Sequence, residues 1–345
     1  MKNYKLFNKP NYLIKENDIV YYMETKDVYK YIRVKVGESF QNKYGHFCHD
    51  DFIGKEKGTK IFTKSKKKID KDGYVLILDF MPSNWDKTGE RLTQILYSPD
   101  ISLILTLLNI NNNDIILESG TGSGCLTINI ANALSNGHLF TFEFNKERAL
   151  KVSNKLNDLN IKNAIVINQD VLEYGFNVDN YFSKYISSND QSHNISILDK
   201  FNLNYSNKIK IGNLEDIIKL KEDERLLYNK IDSIFIDLPS PWGVIESINN
   251  KLKYNGRLVS FSPCIEQISK TIEKLKEYNY MKPRIFEIQI RGYNYVKTER
   301  VKVPCLGVKR NLNFNNNYIE QSINISTSRN DMKGHTGFLL FTVKL

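Results

Sequence analysis

Hydrophobic positions along the 345-residue chain follow two different rhythms. From Asp18 to Leu78 they come in short alternating runs, such as Ile19-Val20-Tyr21-Tyr22-Met23 and Tyr31-Ile32-Arg33-Val34-Lys35-Val36, broken by Gly and Asp turns. Alternation with turn punctuation predicts a small β domain, placed at residues 1–90. From about Ser98 apolar runs alternate with stretches of helical period, which predicts a doubly wound parallel sheet for residues 91–345. Strands are expected at Ile115–Glu118, Leu139–Glu143, Ala164–Asn168, Ile231–Asp237 and Arg257–Phe261, with helices opening near Cys125, Lys146, Gly243 and Pro263. Ser98-Pro99-Asp100 reads as a helix start, with Ser98 at the cap, Pro99 at the first helical position, and an apolar face of Ile101, Ile104, Leu105 and Leu108.

Two stretches interrupt this alternation. Asn177 to about Tyr228 is rich in Asn, Ser, Lys and Tyr and lacks sustained periodicity, although Leu214–Leu227 has a helical pattern. Asn311 to Asp331 reads as a polar linker, and both stretches read as insertions without a fixed structure. Arg284–Arg291 and Phe338–Val343 are then left to pair as the antiparallel end of a seven-stranded sheet.

Composition narrows the class. With 41% hydrophobic and 12% aromatic residues the chain can bury an α/β core and carry a smaller second domain. Lys and Arg number 49 against 39 Asp and Glu, a net charge of +10 that suits either a polyanionic partner or simple solubility. Gly54 to Lys68 carries seven lysines interleaved with Ile61 and Phe62, readable as an RNA-facing edge or as a solvated edge strand. Cys48, Cys125, Cys264 and Cys305 are scattered without a CxxC pair, so reduced thiols are expected rather than a zinc site or disulfides. His46, Cys48 and His49 lack a second ligand pair at zinc-finger spacing, and no metal is expected. No apolar run approaches a membrane span and the first residues lack a signal peptide's apolar stretch, so an intracellular protein without membrane contact is expected.

The chemistry concentrates in two places. Ile115-Ile116-Leu117-Glu118-Ser119-Gly120-Thr121-Gly122-Ser123-Gly124 is an apolar strand ending in an acid and running into alternating glycines. Glycines permit a sharp turn and close approach of a ligand at the switch point of such a sheet. A dinucleotide loop, G-x-G-x-x-G, would need a third glycine where Cys125 or Thr127 stands. An acid before the loop suits a cationic cofactor better than a pyrophosphate. S-adenosylmethionine, with an ammonium and a sulfonium, meets that requirement. Glu143 ends the second strand, where a carboxylate can accept both ribose hydroxyls, and Arg148 lies one helical turn on, to orient Glu143 or touch the cofactor. Asp170 and Val171 follow the third strand, placed to meet an adenine amino group and ring. The second place is Ile234-Phe235-Ile236-Asp237-Leu238-Pro239-Ser240-Pro241-Trp242, where a strand delivers an acid into a loop bracketed by prolines. Asp237 there is a catalytic candidate or a helix N-cap.

These motifs together resemble the family of eukaryotic catalytic subunits of tRNA (adenine-58-N1)-methyltransferase. The resemblance rests on Thr93-Gln94-Ile95-Leu96-Tyr97-Ser98-Pro99-Asp100-Ile101, the glycine loop, Asp237 to Trp242, Ser260-Phe261-Ser262-Pro263-Cys264-Ile265-Glu266-Gln267 and Gly334-His335-Thr336-Gly337, in that order. Tyr44-Gly45, His49 to Asp51 and Ile53-Gly54 resemble the family's small N-terminal β-barrel. It implies a Rossmann-like, seven-stranded class I methyltransferase fold that makes 1-methyladenosine in the T-loop of tRNA. It also implies that Gln94, Ile95, Leu96 and Tyr97 line the cofactor with Glu118, Ser119, Gly120, Gly122, Ser123 and Gly124, and that Glu143, Arg148, Asp170, Val171 and Asp237 complete the site. It further implies a non-catalytic, tRNA-binding paralogous subunit in a heterotetramer, with a homotetramer as the bacterial alternative, and residence in the nucleus. His335 stays outside the catalytic set. The competing expectations are a methyltransferase of another acceptor and a non-catalytic RNA-binding paralogue. Because the polar stretch contributes little apolar burial, deleting about Asn180 to Asn207 is expected to leave methyl transfer and thermal unfolding unchanged. A collapse of both in the deleted protein would make the segment structural.

Overall fold

In a computed structural model the chain is described at residues 13–25, 28–63, 73–88, 92–178, 229–291, 293–304, 318–328 and 336–345. Its larger sheet has seven strands in the order β12-β15-β11-β10-β7-β8-β9. These are β7 (Ile115–Ser119), β8 (His138–Glu143), β9 (Ala164–Asn168), β10 (Ile231–Asp237), β11 (Leu252–Ser262), β12 (Arg284–Glu287) and β15 (Phe338–Val343). Neighbours from β9 to β11 run parallel, and β15 pairs antiparallel with both β11 and β12.

Alternation within each strand explains why both faces of this sheet are covered. Leu117, Ile234, Ile236, Leu258 and Leu340 enter one buried cluster, whereas Ile116, Phe235, Val259, Leu339 and Phe341 enter the other. Strands apolar on both faces read as continuous hydrophobic runs, the pattern of a parallel sheet between helices. The helices supply matching stripes. In α3 (Lys146–Asp158) the buried residues are Ala149, Val152 and Leu156, and in α5 (Ile265–Leu275) they are Ile268, Thr271 and Leu275. Three- and four-residue spacing puts each set on one side of its helix. Between them in sequence lies α4 (Ile245–Lys251); α1 (Ser98–Leu108) and α2 (Cys125–Ala133) precede them.

The cap of α1 falls one residue earlier than expected. Tyr97 has the extended N-cap conformation and Ser98 is already helical. The Ser98 hydroxyl instead donates to Asp86 Oδ2 at 2.8 Å and to the Ser83 carbonyl at 2.9 Å, tying the helix to the chain before it.

The N-terminal alternating runs form a four-stranded sheet, β2-β1-β6-β5, and a separate hairpin of β3 (Ser39–Asn42) and β4 (Gly45–Cys48). The sheet strands are β1 (Ile19–Thr25), β2 (Val28–Arg33), β5 (Lys60–Phe62) and β6 (Tyr74–Asp79). Val20, Ile61, Val75 and Ile77 of the sheet share one core with Phe47 of the hairpin. Among the described residues no strand pair closes this unit into a barrel.

One expectation is overturned at the C-terminal side. Asn311 to Asp331 contains not only linker but strand β14 (Tyr318–Ser328), paired antiparallel with β13 (Tyr293–Pro304) from Tyr293↔Ser328 to Pro304↔Tyr318. Asn-rich composition hid it, because Ile-Glu-Gln-Ser-Ile-Asn-Ile alternates only weakly. Leu214–Leu227 and His335 lie outside the described residues.

The chain end is fastened by a buried lysine. Lys344 Nζ donates to Asn229 Oδ1 at 3.0 Å, to the Leu252 carbonyl at 2.8 Å and to the Asn249 carbonyl, and burial lowers its pKa from the usual 10.5. Replacing Lys344 with Met keeps the stem but leaves three acceptors without their donor. A loss of about 2–4 kcal/mol in urea-unfolding stability is expected, and a loss under about 0.5 kcal/mol would show that water replaces the ammonium.

Candidate active site

In an open α/β sheet, ligands bind beyond the carboxyl ends of the strands where strand order reverses. Here that point lies between β7 and β10, which pair in parallel through Ser233↔Ile116 to Ile236↔Ser119. A cavity of about 530 Å³ opens there. It lies within the usual range for small-molecule sites.

The glycine loop is shaped first by its protein neighbours. Gly120 has φ +89°, and a Cβ on it would stand 2.2 Å from the Asp237 carbonyl oxygen. Gly124, at φ +77°, begins α2, where a Cβ would lie 3.1 Å from Val152. Gly122 faces Thr93 and donates its N–H to Glu143 Oε2 at 3.0 Å. The glycines therefore let the ends of β7 and β10 close on each other, and the space beyond them is the cavity.

Of the residues singled out from sequence, Gln94, Ile95, Leu96, Ser119, Gly120, Gly122, Glu143, Arg148, Asp170, Val171 and Asp237 line this one cavity. Four stand outside the lining. Gly124 starts α2, and Tyr97 caps α1. Ser123 turns its hydroxyl to the amides of Leu92 and Thr93 at 2.8 and 3.1 Å. Glu118 is buried beneath the loop at 1% exposure, where its Oε2 accepts from the Thr127 hydroxyl at 2.7 Å.

Residues that the sequence reading did not select complete the wall. Phe142 and Phe144 flank Glu143, Gln169 and Leu172 flank Asp170 and Val171, and Leu238 and Pro239 follow Asp237. Thr93, Phe261, Pro263 and Thr336 belong to the quoted motifs, so their signal was present. Thr336 donates its hydroxyl to the buried Asp100 Oδ1 at 2.7 Å, which holds the segment before β15 against α1.

Three carboxylates and one guanidinium line the cavity. Arg148 is spent on Glu143, donating from Nε at 3.1 Å and Nη2 at 2.7 Å to Oε1. That oxygen also accepts from Asn145 N at 3.0 Å. With Gly122 N on Oε2, Glu143 already accepts four hydrogen bonds, and Oε2 has the capacity left for a ligand hydroxyl. Asp170 caps the short helix Val171–Tyr174, its Oδ1 accepting from Leu172 N at 2.9 Å. Asp237 differs. Burial alone raises its carboxyl to about 6, and no lining cation is left to compensate it.

The loop after Asp237 is braced from outside. Gln267 Nε2 donates to the Pro239 carbonyl at 2.9 Å, while its Oε1 accepts from Cys264 N at 3.3 Å at the start of α5. Lys270 lies over the Trp242 ring at 5.0 Å, and Gly243 N bonds to the Ser240 carbonyl at 3.0 Å. Asp237 is thus the last residue of a buried strand and the first of a pinned loop, not a helix cap. Elsewhere, His49 Nδ1 accepts from Lys35 N at 3.1 Å and His46 Nε2 meets Ser39 Oγ at 3.0 Å. Among the described residues no His, Cys, Asp and Glu cluster could hold a metal, and no helix is long and apolar enough to cross a membrane.

A parallel sheet closed by an antiparallel pair, with a glycine loop at its switch point, defines a class I methyltransferase fold. The solved structures agree: a SAM-dependent O-methyltransferase from Thermotoga maritima superposes with a TM-score of 0.65, at 18% identity over 97% of this chain and 95% of that one. The tRNA (m1A58) methyltransferase TrmI from Aquifex aeolicus gives 0.60, at 20% identity over 96% and 99%. The chain belongs to the family described as tRNA methyltransferase complex GCD14 subunit, whose model matches residues 73–186 and 199–344. It is 31% identical, over 84% of its length, to the tRNA (adenine(58)-N(1))-methyltransferase catalytic subunit TRM61 of Candida glabrata, spanning 69% of that protein. To its Kluyveromyces lactis counterpart it is 32% identical over 81%, spanning 62%. The family match passes over 187–198, inside the polar stretch set apart as an insertion.

Glu118 generates a prediction. Burial raises its carboxyl to about 7 from the ordinary 4.5, so it folds in as a neutral acid. The unfolded chain ionises first as pH rises, so stability is full below about 4.5 and declines until about 7. Glu118→Gln removes that decline and should gain up to roughly 3 kcal/mol over the native protein at pH 8, measured by urea unfolding at pH 5 and pH 8. Cofactor affinity should change less than about threefold. A loss beyond tenfold with the fold intact would put the Glu118 charge on the cofactor.

Proposed function

We propose that this protein transfers a methyl group from S-adenosylmethionine to N1 of adenosine 58 in the T-loop of tRNA. The observation that carries the reading is Asp237, an uncompensated acid held at the strand end beside the glycine loop, in a cavity whose remaining charge is negative. That donor set fits a cationic cofactor: Asp170 and Asp237 lack a cationic partner in the lining, and Arg148 is neutralised by Glu143. A pyrophosphate would meet repulsion there. Bound in this cavity, S-adenosylmethionine supplies an electrophilic methyl on its sulfonium.

The chain's own residues then have distinct tasks. Glu143 takes a ribose hydroxyl on Oε2, with Arg148 holding the carboxylate in place. Asp170 and Val171 meet the adenine edge, between Phe144 and Leu172. Gln94, Ile95 and Leu96 close the side next to the loop, and Ser119, Gly120 and Gly122 form its floor, with Tyr97, Glu118, Ser123 and Gly124 shaping the loop from behind. Asp237 acts on the acceptor. Adenine N1 carries a lone pair and no proton at neutral pH, so attack needs alignment more than a base. A carboxylate accepting from the exocyclic amine holds the ring, raises electron density at N1 and stabilises the cationic product. The T-loop adenine must leave its tertiary pairing to arrive there.

The relatives' names include "catalytic subunit", and the family description places it in a complex. On that basis the working assembly is a heterotetramer with a non-catalytic, tRNA-binding paralogue, resident in the nucleus; a self-sufficient homotetramer is the alternative. Residues 1–90 form the small β domain of this unit and 91–345 its catalytic domain.

Asp237→Ala should lower methyl transfer about 100-fold or more while cofactor affinity falls less than about fivefold. Because the acid works as a carboxylate, turnover should rise with pH through about 6 and lose that rise in the variant. Nucleoside mass spectrometry of treated tRNA, with the co-expressed paralogue present, reads product and rate together. Near-normal turnover by the variant, or a product other than 1-methyladenosine, would overturn the reading.

A further inference from the structure

The N-terminal sheet carries a face that its own packing does not use. On edge strand β5, Ile61 points into the core while Lys60 and Phe62 point out; on β6, Val75 points in and Tyr74 out. Phe62 and Tyr74 are directly opposed in the strand register, with ring centroids 5.8 Å apart, and remain 54% and 42% exposed. Lys60 Nζ lies 4.3 Å above the Tyr74 ring. The β3–β4 turn abuts this pair. A Cβ on Gly73 would meet the Tyr44 carbonyl oxygen at 2.0 Å, and the Thr63 hydroxyl donates to the His46 carbonyl at 3.1 Å. That brings Tyr44, with Lys43 5.0 Å over its ring, beside the aromatic pair. Among the described residues neither Lys43 nor Lys60 pairs with a carboxylate. The nine residues that join β5 to β6 in sequence contain five lysines.

Two opposed aromatic rings on the solvent face of a sheet, with ammonium groups beside them, form the arrangement on which unpaired bases stack while phosphates meet lysine. A cross-strand pair stabilises its own edge by only about 0.2–1 kcal/mol, and a protein partner would find an edge that is cationic rather than broadly apolar. We propose, resting on the reading of the chain as an RNA-modifying enzyme, that the Phe62–Tyr74 face binds a single-stranded segment of RNA, one base stacking on the rings and the adjoining phosphates meeting Lys43 and Lys60. It is an RNA-holding surface on the small domain, separate from the pocket at Asp237.

The test uses the full chain and an unstructured, fluorescein-labelled 12-nucleotide RNA without a T-loop, read by anisotropy against a duplex of equal length. Phe62→Ala with Tyr74→Ala should weaken single-strand binding about tenfold, with cofactor affinity and the unfolding midpoint unchanged. Should that variant unfold, Lys43→Gln with Lys60→Gln keeps both rings and should lower the salt slope of binding by about one. Unchanged RNA affinity in a folded aromatic variant, an unaltered slope in the lysine variant, or absence of single-strand binding by the native chain would overturn the proposal. No methyl transfer is involved, so a chain that binds the oligonucleotide through this face yet makes no 1-methyladenosine would refute the proposed function and leave the surface standing.

Discussion

The contact between Gly120 and Asp237 is the constraint from which the active-site arrangement follows. With a would-be Cβ at 2.2 Å from a backbone carbonyl, no side chain fits at residue 120, and its φ of +89° belongs to glycine on conformational grounds as well. The contact joins the carboxyl ends of two neighbouring parallel strands. It sets how far β10 extends before the chain leaves the sheet, and hence where the Asp237 carboxyl stands relative to the loop. Gln267 and Lys270 then fix the outgoing segment from α5, so Asp237 is located from the strand side by a steric limit and from the loop side by hydrogen bonding. Positioning of this kind suits a reaction in which alignment contributes more than proton transfer.

Four acids gather around one strand end, and their environments divide the work. Glu118 is sealed beneath the loop and neutral, with Thr127 as its donor. Glu143 is fully hydrogen-bonded and paired, so its charge is silent beyond its immediate neighbours. Asp170 is partly engaged as a helix cap. Only Asp237 combines a raised pKa with a place in the lining and no compensating cation there. A pKa perturbed by desolvation in a cleft marks a functional group better than a charge on an open surface does.

Much of this was readable in the chain itself, for a physical reason. Strands buried on both faces leave uninterrupted apolar runs, so β7, β8, β9 and β10 were placed to within about a residue, and acids at the ends of such runs could be assigned to the carboxyl edge. What sequence could not convey was direction. Glu118 and Ser119 are adjacent at the end of β7, yet strand alternation sends one beneath the sheet and the other into the cavity. Ser123 and Gly124 belong to the same motif as Gly122, but they serve the turn that the cavity rests on rather than its surface. The cap of α1 shifted because Ser98 found a better partner in Asp86 than its own helix offered. Strand β14 was missed because pairing with β13 compensates for a composition that looks unstructured when read alone.

The separation of charge within the molecule points to the same division of labour. The chain carries +10 overall, while its main cavity presents three carboxylates and one neutralised guanidinium. A uniformly basic surface would attract nucleic acid but repel a cationic cofactor, and a uniformly acidic one would do the reverse. Placing lysines on the outer edge of the small sheet and acids at the strand ends of the large one accommodates both, because at physiological ionic strength charges farther apart than about 8 Å are largely screened from each other. The two sheets can then be tuned independently: the pocket by which acids stay ionised, the outer face by how many ammonium groups meet phosphate. On this view the small domain contributes RNA affinity and salt dependence, and the large one contributes alignment at a single carboxylate.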